Sequence, residues 1–260
     1  MELFLDTTIQ IDRVTGSNER KEEIEKVLKG NKLYCSSYVL GEYYATAVSD
    51  LVTLYGLFLL DKDIGETGKR ITERVFGRSQ PRVAKLYANI LSICKFDVDE
   101  VEDTFLLYMD LIQDEFYRNL EEVADRTKCA RAKRRITYED GIPALPEVKC
   151  RKDKKVCGIC EFWQEAGQEL GQITASKEID RKIRGVLCAA KMDEREYQGN
   201  NCKTLGDTVI AIEAKKGGNG RKVCTSNKKD FQPLCNAIGL GLAVPDYSWK
   251  KKDGIGIGIK

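Results

Sequence analysis

The sequence predicts an α/β protein: a central parallel sheet flanked by helices, interrupted by an inserted helical, Cys-rich subdomain. Three observations lead there. Short apolar runs that end on polar residues alternate with helical periodicity over residues 1–60 and again from residue 204. Between them, residues 126–160 lose that periodicity and fill with basic residues and cysteines. Acidic residues also stand at the ends of the α/β elements, where an open parallel sheet takes its ligand.

ELFLD (Glu2 to Asp6) reads as a short, fully buried strand, and a polar–apolar segment follows it. In NERKEEIEKVLKG, Ile24, Val27 and Leu28 share one helical face and Gly30 stops the helix. KLYCSSY (Lys32 to Tyr38) is the second strand and leads into a long helix holding Glu42. That stretch, Tyr38 to Leu60, carries Glu42 and Asp50 and reads as a buried helix, not a membrane span.

Residues 66–96 read as helical with a boundary before Pro81. Asp97 to about Arg126 continues as helix. The α/β pattern then resumes with LGDTVIAIEAKK as helix, RKVCTSN as strand, KKDFQPLCNAIG as helix and LAVPDY as the last strand. Gly217, Gly218 and Gly220 mark the turn before RKVCTSN. The tail DGIGIGIK suits an edge strand or a loose end. The resulting division is 1–114 for the first part of the core, 115–203 for the insertion, and 204–260 for the second part and tail.

Composition narrows the chemistry. The 260 residues are 42% hydrophobic and 32% charged, which suits a folded globular protein. A net charge of +2 means that nucleic-acid binding would rest on local patches. There is no histidine, so acid–base or metal chemistry falls to carboxylates, thiols, lysines and hydroxyls. Asp6 interrupts the first apolar run before it resembles a secretory leader. A cytoplasmic protein without membrane contact is therefore expected, with ten cysteines serving as core thiols and a metal site rather than disulfides.

Asp6 ends the first strand, Glu42 lies in the first turns after the second, Asp207 opens a helix, and Asn227 and Asp230 follow VCTS. Each has an ordinary explanation taken singly: an Asx turn for Asp6, dipole-complementing helix starts for Asp207 and Asp230, a solvated helix position for Glu42. Together they occupy one edge of the sheet. Clustered carboxylates repel unless a cation or protons neutralise them. Mg²⁺ and Mn²⁺ prefer such oxygen ligands and support in-line displacement at phosphorus.

LFLDTTIQID, CSSYVLGEYYAT, LGDTVIAIEAKK and VCTSNKKDF, in that order, resemble the four motifs of the PIN-domain nucleases, a family that includes the VapC-type toxins. The resemblance covers residues 1–60 and 204–246 and, loosely, 81–114; residues 115–203 depart from it. It implies a PIN-like core and a metal-dependent endoribonuclease, with Asp6, Glu42 and Asp207 as the Mg²⁺ or Mn²⁺ ligands. Asp230 fills the second acidic position of the fourth motif, and Asn227 stands where the family often has aspartate. Thr7, Ser36 and Thr225 match hydroxyl positions that orient metal, water or phosphate. A toxin or defence effector, a homodimer and an inhibitory protein partner come with this reading. The rival is a non-catalytic RNA-binding or assembly module, for which Asn227 is the best argument, and nothing in the sequence separates RNA from DNA.

In the insertion, Cys157-Gly158-Ile159-Cys160 offers two thiolates from one tight turn. Cys150, Cys157, Cys160 and Cys188 form the preferred Zn²⁺ set, with Cys129 and Cys202 as substitutes; a redox pair and unrelated buried thiols are the alternatives. Cys35, Cys94, Cys224 and Cys235 sit in apolar surroundings and read as core. Arg131, Lys133, Arg134 and Arg135 form a basic run that would grip RNA phosphates, or else a solvated face. Phe162 and Trp163 read as the insertion's core rather than as base-stacking groups.

Overall fold

β1 (Glu2–Leu5) lies at the middle of a five-stranded sheet, and Leu3, Phe4 and Leu5 have no exposed surface. A strand apolar at consecutive positions needs cover on both faces, which helical layers on a parallel sheet supply. The computed structural model describes residues 1–148, 150, 157–192, 200–218 and 220–247. Its sheet order is β3 (Leu120–Ala124), β2 (Lys32–Ser36), β1, β6 (Lys222–Cys224), β7 (Gly241–Ala243), with every neighbouring pair parallel. The α/β class and the central parallel sheet agree with the sequence expectation.

The chain leaves β1 toward β2 and β3, then returns on the other side of β1 to form β6 and β7. The order therefore reverses between β1 and β6. At such a reversal the connections leave toward opposite sides, opening a crevice beyond the carboxyl ends of the strands. Asp6 follows β1 at this point and Thr225 follows β6, with Leu5 in register with Cys224.

The polar–apolar segment after Asp6 is a helix, α1 (Thr7–Thr15), started by Asp6 itself, whose Oδ1 accepts from Thr7 N at 2.6 Å. α2 (Asn18–Leu28) follows, burying Ile24 and Leu28, and Gly30 at φ +74° makes the left-handed turn into β2. After β2 comes one long buried helix in three parts: α3 (Ser37–Tyr43), a π-helical stretch (Tyr44–Val48) and α4 (Ser49–Phe58). α5 (Ile64–Arg74) and α6 (Ser79–Ile93) are separated just upstream of Pro81. Among the described residues no helix is long and apolar enough to cross a membrane.

The stretch read as helix from Asp97 to about Arg126 requires correction. α7 spans Val98–Tyr117, and Leu120–Ala124 is the edge strand β3, parallel to β2. Asn119 at φ +62° breaks the helix, and the tie is tertiary: Gln10 Nε2 and Arg13 Nη2 of α1 donate to the carbonyls of Phe116 and Arg118 at 3.1 and 2.8 Å. Those buried donors satisfy carbonyls that a helix end leaves orphaned.

Beyond β3 come a 3₁₀ turn (Ala130–Lys133), a hairpin of β4 (Thr137–Glu139) and β5 (Ile142–Ala144), and helices α8 (Ile159–Glu165), α9 (Gly167–Ala175), α10 (Arg181–Met192) and α11 (Asn200–Thr204). Phe162 and Trp163 are buried against each other edge to face, so they belong to the core. The segment thus gives a strand to the sheet, packs its 3₁₀ turn on α3, and sets α9 against α13 (Lys228–Ile238). α12 (Gly206–Lys216) then precedes β6. The DGIGIGIK tail lies outside the described residues.

Candidate active site

Each sequence-predicted acid owes its place to the topology. α3 starts at the carboxyl end of β2, which carries Glu42 to that edge. α12 leads into the amino end of β6, so its own first turn, holding Asp207, lies about 16 Å back toward the carboxyl edge. Gly206 permits the approach: a Cβ there would stand 3.0 Å from Glu42 Oε1 and 3.1 Å from the Tyr38 hydroxyl.

Asp6 is 2% exposed and held by a set of hydroxyls. Thr8 Oγ1 and Thr225 Oγ1 donate to its Oδ2 at 2.6 and 2.8 Å, while Thr7 N holds Oδ1. Thr7 Oγ1 points the other way and donates to Glu42 Oε2 at 2.7 Å, so consecutive residues tie the β1 end to α3. Thr225 Oγ1 also accepts from Asn227 N at 2.9 Å, and Thr8 Oγ1 accepts from Ser226 N at 3.2 Å, which fixes the β6 loop on the same centre.

The charges of these acids act on one another in a poorly solvated place. Burial raises the Asp6 carboxyl above its ordinary range, with Thr8, Thr225 and Thr7 opposing. Burial likewise raises Glu42; Thr7 and Arg131 oppose it, and Asp6 adds to it. Asp207 is pushed up to about 7 by burial first, then by Asp6, Glu42 and Asp230. Among the described residues, no three His, Cys, Asp or Glu side chains form a group able to hold a metal ion as they stand. Asp6 and Glu42 are instead engaged by hydroxyl donors.

The remaining predicted positions divide. Thr7 and Thr225 orient the carboxylates, as above. Ser36 is fully buried and caps α3, accepting from Val39 N at 3.3 Å. Asp230 is exposed and accepts from Asn227 Nδ2 at 2.8 Å; it reaches the cluster through its effect on Asp207. Sequence reasoning missed Thr8, Tyr38 and Gly206. The tandem hydroxyls of DTT signalled Thr8; the other two follow only from tertiary packing.

The basic run is not a single face. Arg131 is buried, Lys133 is exposed, Arg134 donates to the carbonyls of Pro146 and Leu145, and Arg135 donates to those of Ala132 and Arg134. All ten cysteines are free. Cys35, Cys94, Cys224 and Cys235 are buried in the core as expected. Of the preferred zinc set, Cys188 is exposed while Cys150, Cys157 and Cys160 are half-buried. Cys129 and Cys150 lie near enough to influence the Cys157 thiol, and Cys129 and Cys157 near enough to influence Cys202. The substitutes thus neighbour the CxxC turn, which Gly158 N ties to Thr127 O at 3.0 Å.

Gly41, one residue before Glu42, is where this segment seats on α3. A Cβ there would meet Cys129 Sγ at 2.6 Å, Arg131 Cβ at 3.1 Å and Ala132 N at 3.3 Å. Gly41→Ala should therefore overpack the seat, since even a rotated Cys129 thiol leaves Arg131 Cβ and the Ala132 backbone in the way, destabilising the fold by about 1–3 kcal/mol and lowering Tm in a thermal melt. An unchanged Tm would mean that the 129–132 segment lifts off α3 freely.

No protein-family model, curated protein or solved structure gives a significant match to this chain.

Proposed function

We propose that this protein is a divalent-metal-dependent phosphodiesterase of the PIN-like kind, cutting single-stranded RNA at the Asp6–Glu42–Asp207 centre. The observation that carries the reading is that Asp6 and Glu42, tied to each other through Thr7, stand in poorly solvated surroundings at the reversal point of a parallel sheet, with Asp207 within electrostatic reach of both. Such a cluster is unfavourable to folding unless something neutralises it.

The donor set fits a hard ion. Asp6, Glu42 and Asp207 offer carboxylate oxygens with no thiol or imidazole among them, the choice of Mg²⁺ or Mn²⁺ over zinc. When bound, such an ion supplies a lowered water pKa and charge stabilisation at phosphorus. The protein's own part is positional. Thr8 and Thr225 hold the Asp6 carboxylate, Thr7 holds Glu42, and Gly206 lets the start of α12 approach Glu42 and Tyr38.

The test is cleavage of end-labelled single-stranded RNA and DNA by purified protein in Mn²⁺, Mg²⁺ or EDTA. Cutting of RNA in Mn²⁺ or Mg²⁺ and none in EDTA is expected. Undiminished cutting in EDTA, or binding of RNA without cutting in either metal, would overturn the reading; the second result is what an RNA-binding scaffold would give.

A further inference from the structure

A buried charge without an anion beside it is unfavourable, so such a residue points to a ligand or to some other compensation. Arg131 is 8% exposed, and among the described residues no carboxylate lies within ion-pairing distance of its guanidinium. It lies over the ring of Tyr38, 5.5 Å from the centroid. The thiols of Cys129 and Cys202 are also close enough to feel its charge, and burial raises both, Cys202 to about 12, so they are neutral near pH 7. The guanidinium itself stays charged at any accessible pH.

Packing imposes this position. The 3₁₀ turn seats on α3 at Gly41, with Arg131 Cβ 3.1 Å from where a side chain would begin. The Tyr38 ring that Arg131 covers ends in a hydroxyl that stands, with Glu42 Oε1, against Gly206 at the start of α12. Arg131's field also reaches Glu42. A buried cation therefore borders the carboxylate centre on the side of α3, while Arg134 and Arg135 are occupied by carbonyls of their own segment.

A centre of three carboxylates repels a polyanionic strand, and a cation beside it gives the strand a place to sit. We propose that Arg131 is the anion-binding residue of this centre, receiving a non-bridging phosphate oxygen of the substrate strand next to Glu42. This rests on the phosphodiesterase reading and specifies how that site takes its substrate. Arginine suits the place better than lysine: its planar fork pairs with phosphate, stacks on an aromatic face and is more weakly hydrated.

The experiment follows the Arg131 side-chain Nε–Hε resonance, assigned by its loss in Arg131→Lys, while inorganic pyrophosphate is added to the wild type. In parallel, a short fluorescein-labelled single-stranded RNA is bound to wild type, Arg131→Lys and Arg131→Met with Ca²⁺ as the only divalent ion. The resonance should shift saturably, and Arg131→Met should bind RNA about 10- to 100-fold more weakly, the scale of a lost charged hydrogen bond, with lysine restoring only part. A resonance unmoved by pyrophosphate, with RNA affinity unchanged in Arg131→Met, would overturn the proposal even if the wild type cuts RNA; Arg131 would then only balance Glu42. A shifting resonance in a protein that cuts nothing would keep the anion site and discard the phosphodiesterase. Should Arg131→Met fail to fold, the wild-type titration alone decides.

Discussion

Asp207→Asn should abolish metal-dependent RNA cleavage and, at pH 8, make the protein more stable. Loss of one oxygen ligand from a preorganised charged centre is expected to lower the rate by about 10³-fold, the scale of removing one electrostatic group from such a site. The stability change has the opposite sign because the Asp207 carboxyl is displaced upward, from 3.8 to about 7. An acid whose folded-state pKa lies above its unfolded value binds its proton more tightly when folded. Its unfavourable contribution is absent below pH 3.8, grows as pH rises to about 7, and is constant above that. Fully expressed, the shift corresponds to roughly 4 kcal/mol. The carboxyl keeps partial contact with water, which screens the repulsion, so about half of that is expected.

Asparagine removes the repulsion, so Tm at pH 8 should rise by about 4–8 °C. The gain should shrink at pH 5, where the wild-type carboxyl is mostly protonated. Mn²⁺ should close the gap by raising the wild-type Tm through mass action and leaving the variant almost unmoved. A variant less stable than wild type at pH 8, by the same amount at pH 5, would show that the carboxylates are not in conflict. Asp6→Asn should show the same loss of cleavage, with less gain in stability, because Asp6 also accepts hydrogen bonds from Thr7, Thr8 and Thr225 that the amide can only partly replace.

How far the sequence could be read depended on how local each signal was. β1, β2 and β6 are apolar runs closed by a polar residue, and Asp6, Glu42 and Asp207 lie at their ends or at the following or preceding helix start; all were legible from the chain alone. β3 was not. Its LEEVA continues the apolar spacing of α7, and its glutamates suit a helix; they are tolerated because β3 is an edge strand with exposed Glu121 and Glu122. Asn119, in a left-handed conformation between the two, was the one local signal of the break. Arg131 was legible as a charge but not as a buried one. Its burial depends on Gly41, ninety residues earlier in the chain, and no periodicity links the two positions. The basic run illustrates the same limit: of four closely spaced cations, Arg131 is buried, Lys133 and Arg135 are exposed, and Arg134 and Arg135 are tied to carbonyls.

Glu213 supplies the control for the first result, since it is a buried acid on the same helix with a different fate. It is 1% exposed, and neither carboxyl oxygen has a hydrogen-bond partner. The Ser36 hydroxyl is near enough to restrain the acid slightly, but it makes no well-formed bond to it, and burial raises the carboxyl from 4.5 to about 8. Six residues along α12 from Asp207, it lies about 120° away around the axis and faces the packed interior. The groups that act on it are Ser36, Arg126 and Asp125, none of the three central acids. The sign is again that of a raised acid: no penalty below pH 4.5, a growing one up to about pH 8, and a constant one above. Glu213→Met, similar in volume and free of polar atoms that need partners, should stabilise the protein by roughly 3 kcal/mol at pH 7 and up to about 5 above pH 8. The difference in Tm should shrink toward pH 4.5 to the pH-independent cost of burying an unpaired neutral carboxyl. Cleavage should survive, and Mn²⁺ should leave the gap between variant and wild type unchanged, in contrast to Asp207. A Tm gap that stays flat from pH 5 to pH 8 would mean that Glu213 is never ionised in the fold; a gap that Mn²⁺ closes would place it in the metal centre with the other acids.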